Sequence, residues 1–238
     1  MRGVVAAAVL ALAALVAGCS HRPNNLSDGS YYADPTVATS TPATVAGSSP
    51  APPTTSASPL VDTGVLRQKV LADSRVAVEE FKPVRPAAAW TPAPLPSCRI
   101  DLAPAGRTVA VRAEWSTGTG ADLVQHVVAH PDGRAAEAVE RAREGLTCTT
   151  YTDDGRTVRI GDEAKLAEVD GVDDRFAWCE RVQPGPAGRA TGGRCHVVLA
   201  HGELLTHLMV STLSEERARE RLNALLPHAV AALTDGAS

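Results

Sequence analysis

Residues 195–212 read CHVVLAHGELLTHLMVST, two apolar runs separated by a short polar segment. Each run is rich in Val, Leu and Thr and has the length of a strand, and His201-Gly202 is typical of a turn. The stretch therefore predicts a β-hairpin, with strands at residues 195–200 and 204–212.

Further strands are predicted upstream of this hairpin. Residues 107–117 alternate between two faces, as a half-buried strand does, and one face carries Val109, Val111, Ala113 and Trp115. Gly118 and Gly120 then turn the chain into an apolar run at residues 123–129, and an antiparallel pair follows. The same criteria predict a hairpin at residues 149–160 and strands at about 165–169 and 175–182.

Two segments have the spacing of helices. Residues 133–147 are rich in Ala, Glu and Arg, with apolar side chains every three to four positions. Ser214 is a candidate N-cap for a closing helix with two glutamates in its first turn, and Pro227 is a candidate kink. A short helix is also expected at residues 63–72.

The order of these elements predicts an α+β domain, with one mostly antiparallel sheet and the helices packed on one face. Five prolines at residues 82–96 predict a loop, or a strap that follows the edge of the sheet. The core is expected to consist of Val, Leu and Ala, because aromatic residues make up only 3% of the chain.

The N-terminal residues indicate export. An apolar run at residues 4–16 is shorter than the roughly 20 residues that span a bilayer, and it ends in small residues. Val16-Ala17-Gly18-Cys19 resembles the lipobox of bacterial lipoproteins, which implies a signal peptide at residues 1–18 and a diacylglyceryl group on Cys19. The alternative is an ordinary signal peptide in which this cysteine is coincidental.

The remaining chain divides into a tether and one domain. Residues 19–60 are dominated by Ser, Thr, Pro, Ala and Gly, which cannot bury enough surface to order the chain, so a plain extended tether is expected, with O-glycosylation as the alternative. Residues 61–238 have the length of a single globular domain. The net charge of −4 and the scattered arginines do not favour a nucleic-acid partner. The expected location is the extracytoplasmic face of the cell membrane, which the protein contacts through its lipid.

Four cysteines remain besides Cys19, namely Cys98, Cys148, Cys179 and Cys195. Outside the cytoplasm an even number of cysteines predicts two disulfides, for which three pairings are possible. A zinc site is the competing interpretation, but neither a C-x-x-C motif nor a paired histidine spacing supports it. No metal and no other cofactor is expected.

A family resemblance rests on the helix at residues 134–148, the segment VDDRFAW at residues 172–178, the hairpin at residues 197–205 and the closing helix. Together these resemble the sensor-type extracellular domains of actinobacterial envelope proteins, found on lipoproteins and on PknH-like serine/threonine kinases. The actinobacterial lipoprotein family labelled DUF3558 has a similar layout. The resemblance covers roughly residues 97–233, although the strands between Cys98 and Arg134 show no motif that aligns.

This resemblance implies a ligand-sensing or scaffolding domain with a cleft and no known reaction. It also implies cysteines paired in sequence order, Cys98 with Cys148 and Cys179 with Cys195.

Histidines are the first candidates for chemistry. His126 and His130 are four residues apart, but a strand would hold them about 13 Å apart, so a shared metal ion is not expected. His201 is interpreted as a turn residue. His196 and His207 are interpreted as surface residues that alternate between the faces of the hairpin, with a pH-sensitive contact as the alternative.

Other residue types provide little support for catalysis. The serines lack a G-x-S-x-G motif, and the acidic runs lack the ligand spacing of a calcium loop. Trp115 and Trp178 are interpreted as core or cleft-wall residues. Two hypotheses follow: a non-enzymatic lipid-anchored domain that binds a ligand or protein partner, and an envelope hydrolase or transferase with an unrecognised active site. A cleft that groups a carboxylate with a histidine would favour the second hypothesis.

Overall fold

The structure is a computed structural model, and it describes residues 61–103, 108–184 and 191–235. The predicted signal peptide, Cys19 and the tether up to residue 60 lie outside the described residues. Within the described ranges, no helix is both long enough and apolar enough to cross a bilayer.

One antiparallel sheet of eight strands organises the domain. The strands are β1 (Lys82–Ala89), β2 (Ala110–Ser116), β3 (Asp122–Ala129), β4 (Thr150–Asp153), β5 (Arg156–Glu163), β6 (Asp174–Val182), β7 (Gly192–His201) and β8 (Leu204–Thr212). Their order across the sheet is β1-β2-β3-β8-β7-β6-β5-β4, so the pairing of β3 with β8 joins the N-terminal and C-terminal strands. The predicted hairpin is confirmed as β7 and β8, which connect through Gly202 at φ +56°.

The helices cover both faces of the sheet. They are α1 (Thr63–Gln68), α2 (Asp73–Val76), α3 (Ala135–Gly145) and α4 (Glu215–Thr234). Val197 and Leu199 of β7 pack in one core with α1, α2 and α4, whereas Val198 and Ala200 pack in a second core with α3. We call these surfaces the α4 face and the α3 face.

The α+β class and the antiparallel sheet are therefore confirmed, but the expectation that all helices pack on one face is wrong for α3. The reason lies in the central strands, where consecutive residues of β7 from Cys195 to Ala200 are all buried. A strand that is buried on both sides requires cover on both sides.

Three local predictions also differ from the structure. The predicted strand at residues 165–169 is irregular chain, whose Leu166 and Val169 pack against the core of the α4 face instead of pairing with a neighbouring strand. The proline-rich segment begins with the edge strand β1, where Pro83 and Pro86 are tolerated because one side of the strand has no partner. The first helix ends at Gln68, and α2 follows it.

The closing helix begins as predicted. The Oγ of Ser214 accepts a hydrogen bond from the backbone N–H of Arg217, which is N-cap geometry. Pro227 lies inside α4, which continues to Thr234 as one helix.

Both disulfides are present in the pairing that the resemblance implies. Cys98 is bonded to Cys148, which follows α3, with a Cα–Cα distance of 5.5 Å. Cys179 of β6 is bonded to Cys195 of β7, directly opposite it in the sheet, with a Cα–Cα distance of 4.1 Å. The first bridge closes a long loop on the α3 face, and the second joins two central strands.

Removal of each bridge should destabilise the domain to a different extent. For separations of 50 and 16 residues, loop-closure entropy predicts losses of about 4 kcal/mol for C98A/C148A and about 3 kcal/mol for C179A/C195A. Urea unfolding of the two double variants would measure these losses. Equal stability of C98A/C148A and the wild type would show that the first bridge does not constrain the chain.

Candidate functional site

A row of polar side chains crosses the α3 face, on four neighbouring strands. The row consists of His126 on β3, His207 on β8, His196 on β7 and Glu180 on β6. His126 lies directly opposite His207, and alternation along the strands directs all four side chains to the same face. Their exposed fractions are 6%, 1%, 3% and 0%. The row lies within the protein and not on its surface.

The interpretation of His196 and His207 as surface residues on alternate faces is therefore wrong. The turn of the hairpin pairs His201 with Leu204, and His196 and His207 each lie an odd number of residues from this pair. Both side chains thus emerge on one face. His201 is half-exposed beside the turn, as expected, and its Nδ1 lies 3.9 Å from a carboxylate oxygen of Asp173.

The four side chains form a continuous chain of contacts, which we call the histidine chain. His126 Nδ1 lies 3.1 Å from His207 Nδ1, and His207 Nε2 lies 3.1 Å from His196 Nδ1. His196 Nε2 is 3.3 Å from Glu180 Oε2, which is an ion-pair distance without the alignment of a hydrogen bond. His207 contacts one neighbour with each ring nitrogen. The ring nitrogens therefore lie in a row and do not surround a common point.

The described residues contain no cluster of three or more His, Cys, Asp or Glu side chains arranged to bind a metal ion. His130 lies apart from the histidine chain, buried, with its Nε2 2.9 Å from the carbonyl oxygen of Leu102.

Glu180 is the polar centre of the site. Ser97 Oγ and Trp178 Nε1 donate to its Oε1, and Tyr151 Oη donates to its Oε2 at 2.6 Å. Burial alone would raise the pKa of Glu180, but the adjacent His196 and the hydroxyl donors lower this pKa to about 2. The carboxylate therefore stays ionised inside the protein. Burial and the charge of Glu180 in turn raise the pKa of Tyr151, which keeps its proton.

The histidines at the other end of the chain are neutral. Burial, together with the neighbouring Arg112 and His196, lowers the pKa of His126 to about 3. Burial is the main cause that lowers the pKa of His207 well below its ordinary value, and the neighbouring His196 and His126 lower it further. A neutral imidazole has one donor and one acceptor nitrogen, so the direction of each hydrogen bond is coupled to the next.

A strap between β1 and β2 (residues 90–100) covers the site. It places Trp90 over His126, with ring centroids 4.2 Å apart and an interplanar angle of 16°. Its far end delivers Ser97 to Glu180, next to Cys98 and Arg99, whose φ values of 49° and 58° lie in the left-handed region. This conformation is costly for residues other than glycine. The Cys98–Cys148 bridge holds the segment in place.

A cleft of about 520 Å³ opens over the His126 end of the chain. This volume falls within the range of small-molecule sites. The apolar part of its wall is formed by Val84, Trp90, Pro94, Leu95, Val124 and Met209. Two ion pairs also line it, Arg112 with Glu114 at 2.9 Å and Arg194 with Asp153. His126 Nε2 has no hydrogen-bond partner among the described residues.

The arrangement permits binding and proton transfer. A carboxylate and a histidine are grouped beneath a cleft, which is the feature expected to favour an enzyme. However, Ser211 is the only hydroxyl residue among the described residues that line this cleft, and it lies four positions along β8 from His207, or about 13 Å. A nucleophile–base pair of the serine-hydrolase type is therefore not formed between these residues.

The tryptophans occupy the predicted kinds of position. Trp115 packs in the core of the α4 face, and its Nε1 donates to Asp73. Trp178 packs in the core of the α3 face and stacks on His196 at 4.6 Å. Sequence reasoning missed Glu180, because its position in a strand gave no sign that it is buried. The parity of His196 and His207 about the hairpin turn was an available signal.

Two solved structures are similar to this chain at low sequence identity. No protein-family model and no curated protein matches the chain. Among solved structures, the extracellular domain of PknH from Mycobacterium tuberculosis is similar, with a TM-score of 0.48 and 12% identity over 68% of this chain and 95% of that one. An uncharacterized protein from Mycobacterium smegmatis, the Rv0999 ortholog, has a TM-score of 0.42 and 15% identity over 73% of this chain and 98% of that one.

Replacing the carboxylate should destabilise the protein even though the side chain keeps its size. In E180Q an amide NH₂ replaces one of the two carboxylate oxygens, so it faces a hydrogen-bond donor instead of accepting from it. The expected loss in the free energy of unfolding is about 2–4 kcal/mol. E216Q, at an exposed position in the first turn of α4, is the matched control and should change stability by less than about 0.5 kcal/mol. Thermal or urea unfolding measures both variants, and equal effects would contradict the buried carboxylate network.

Acid should destabilise the domain through the histidine chain. Because the pKa values of His126 and His207 are lowered in the folded state, the unfolded chain binds more protons below about pH 6.5, and the free energy of unfolding falls as the pH falls. Each histidine contributes a slope of about 1.4 kcal/mol per pH unit in that range. Urea unfolding between pH 7 and 5 should show a shallower dependence for H126Q than for the wild type. An unchanged slope would mean that His126 titrates normally.

Proposed function

We propose that this protein is a lipid-anchored lipoprotein of the cell envelope, whose extracytoplasmic domain binds a small ligand without catalysing a reaction. The observation that carries the proposal is the cleft on the α3 face. It combines an apolar wall with a few fixed polar groups, as ligand sites generally do. The two disulfides and the export signal are consistent with a compartment in which disulfides persist.

The site is suited to binding because its groups are held before any ligand arrives. His126 is fixed between Trp90 and His207, and His207 is fixed by His196. Preorganised groups lose little conformational entropy on binding. The ion pairs Arg112–Glu114 and Arg194–Asp153 compensate their own charges, so the cleft does not present a single dominant sign of charge.

Blocking the cleft should abolish ligand retention. Met209 is half-buried in the cleft wall, so M209W should fill part of the volume, whereas V65W places the same ring on the exposed surface of α1. Native mass spectrometry of protein purified from its own membranes should detect a bound small molecule in the wild type and V65W, but not in M209W. Retention of the same molecule by all three proteins would exclude the cleft as its site.

The lipid anchor is tested by the mass of the protein. Intact mass should exceed that of the processed chain by a diacylglyceryl group, and C19S should lose this increment and leave the membrane fraction. Four further thiols should react with an alkylating reagent only after reduction. A lipid-free protein with a reactive Cys19 would contradict the proposed anchor.

An envelope hydrolase or transferase is the second candidate, favoured by the grouping of Glu180 with His196 beneath the cleft. In that case His126 would act as a general base towards water, because Ser211 is the only hydroxyl residue among the described residues that line the cleft, and it lies at the far end of β8. Hydrolysis of p-nitrophenyl acetate that is lost in H126Q but retained in H201Q would favour this candidate. Equal background rates for all three proteins would favour binding alone.

A further inference from the structure

The protonation states of the three histidines are linked by geometry. His207 touches His196 with Nε2 and His126 with Nδ1, so a neutral His207 donates to one of them and accepts from the other. His196 also faces the carboxylate of Glu180 with Nε2, which favours a proton on that nitrogen. These contacts leave two consistent arrangements.

In the first arrangement, all three histidines are neutral. His196 keeps its proton on Nε2, so its Nδ1 accepts from His207 Nε2, and His207 Nδ1 then accepts from His126 Nδ1. The proton of His126 is therefore on Nδ1, and its Nε2 has a free lone pair. Nε2 of His126, at the cleft end of the chain, is a buried atom with no hydrogen-bond partner among the described residues.

In the second arrangement, the chain carries one additional proton. His196 is protonated on both nitrogens and pairs with Glu180, so every hydrogen bond along the chain reverses. His207 then donates to His126 Nδ1, and the proton of His126 is on Nε2. The added positive charge therefore lies on His196, next to the carboxylate of Glu180. At the other end of the chain, His126 Nε2 changes from a hydrogen-bond acceptor to a donor.

We propose that the cleft binds a small, largely apolar ring compound through a single N–H or O–H donor, which hydrogen-bonds to Nε2 of His126 when the histidine chain carries no additional proton. This inference rests on the proposed function, because it specifies the class of ligand for the same cleft. A buried acceptor without a partner generally destabilises a protein by about 1–3 kcal/mol. A ligand that donates a hydrogen bond to Nε2 would remove this cost, which would strengthen its binding.

The surroundings of His126 define this ligand class. The wall formed by Trp90, Leu95, Val124 and Met209 is suited to an apolar ring. The charged and titratable groups that face the site from the packed elements are Arg112 and Glu114 of β2, Asp122 of β3, Asp153 of β4, Arg194 and His196 of β7 and His207 of β8, with Glu180 of β6 and Tyr151 of β4 beyond His196. Arg112 and Arg194 are paired with carboxylates, so a ligand with its own charge would have to displace an ion pair.

The test uses indole and indene, two bicyclic ring compounds of nearly equal size, of which only indole carries an N–H donor. Dissociation constants are measured by calorimetry or NMR titration with the full domain at pH 9 and pH 5. At pH 9 indole should bind at least about tenfold more tightly than indene, which corresponds to one hydrogen bond. Where the NMR spectrum shows that the histidine chain has taken up its additional proton, this preference should fall to about unity, because His126 Nε2 is then a donor. H126F should lose the preference at both pH values.

H196Q separates ligand recognition from the coupling of protonation along the histidine chain, because it interrupts the chain and leaves His126 in place. In this variant the preference for indole should no longer depend on the protonation of residue 196, which can be measured even if H126F fails to fold. Equal binding of indole and indene to the wild type at pH 9 would overturn the inference but leave the cleft as a binding site. Binding of neither compound would overturn the ligand class, while the M209W comparison would still decide the proposed function independently.

Discussion

The ionised carboxylate of Glu180 is the constraint on which the site depends. Moving a charge from water into a protein interior costs several kcal/mol unless donors replace the lost hydration. Here the replacements come from four places: Ser97 on the strap, Tyr151 on β4, Trp178 on β6 and His196 on β7. One buried charge thereby fixes the strap, an edge strand and the centre of the sheet relative to one another.

The cysteines reinforce the same region. Cys98 adjoins Ser97, Cys179 adjoins Glu180 and Cys195 adjoins His196. The Cys179–Cys195 bridge lies on the α4 face of the sheet, so the next residues along β6 and β7 face the histidine chain on the opposite side. The disulfides therefore brace the two strands and the strap that hold the polar groups, and an oxidising compartment suits this construction.

The sequence specifies the sheet and the closing helix more completely than it specifies the site. The hairpin of β7 and β8 and the cap at Ser214 are local, since period, turn and cap lie within a few residues of one another. The position of α3 on the second face depends on burial across the whole sheet. Glu180, in turn, contacts Ser97, which lies 83 residues away, and no local pattern distinguishes a buried glutamate in a strand from an exposed one.

The arrangement of the histidines is predictable from the sequence only in part. Hairpin parity is enough to place His196 and His207 on one face, whereas their contact with His126 requires the long-range pairing of β3 with β8. At residues 165–169 the sequence predicted a strand where the structure has irregular chain. The apolar residues there pack against the core, and packing of this kind can use the same residues as strand pairing.

Long-range ¹H–¹⁵N NMR of the histidine rings in the wild-type domain tests the central claim most directly, because it reports which nitrogen of each imidazole carries the proton. We expect His126 to be protonated on Nδ1 alone while the chain is neutral, and on Nε2 alone once the chain has taken up one additional proton. A proton on Nε2 of His126 in the neutral chain, or a doubly protonated His126 after proton uptake, would contradict the coupled protonation of the histidine chain and the acceptor site that depends on it.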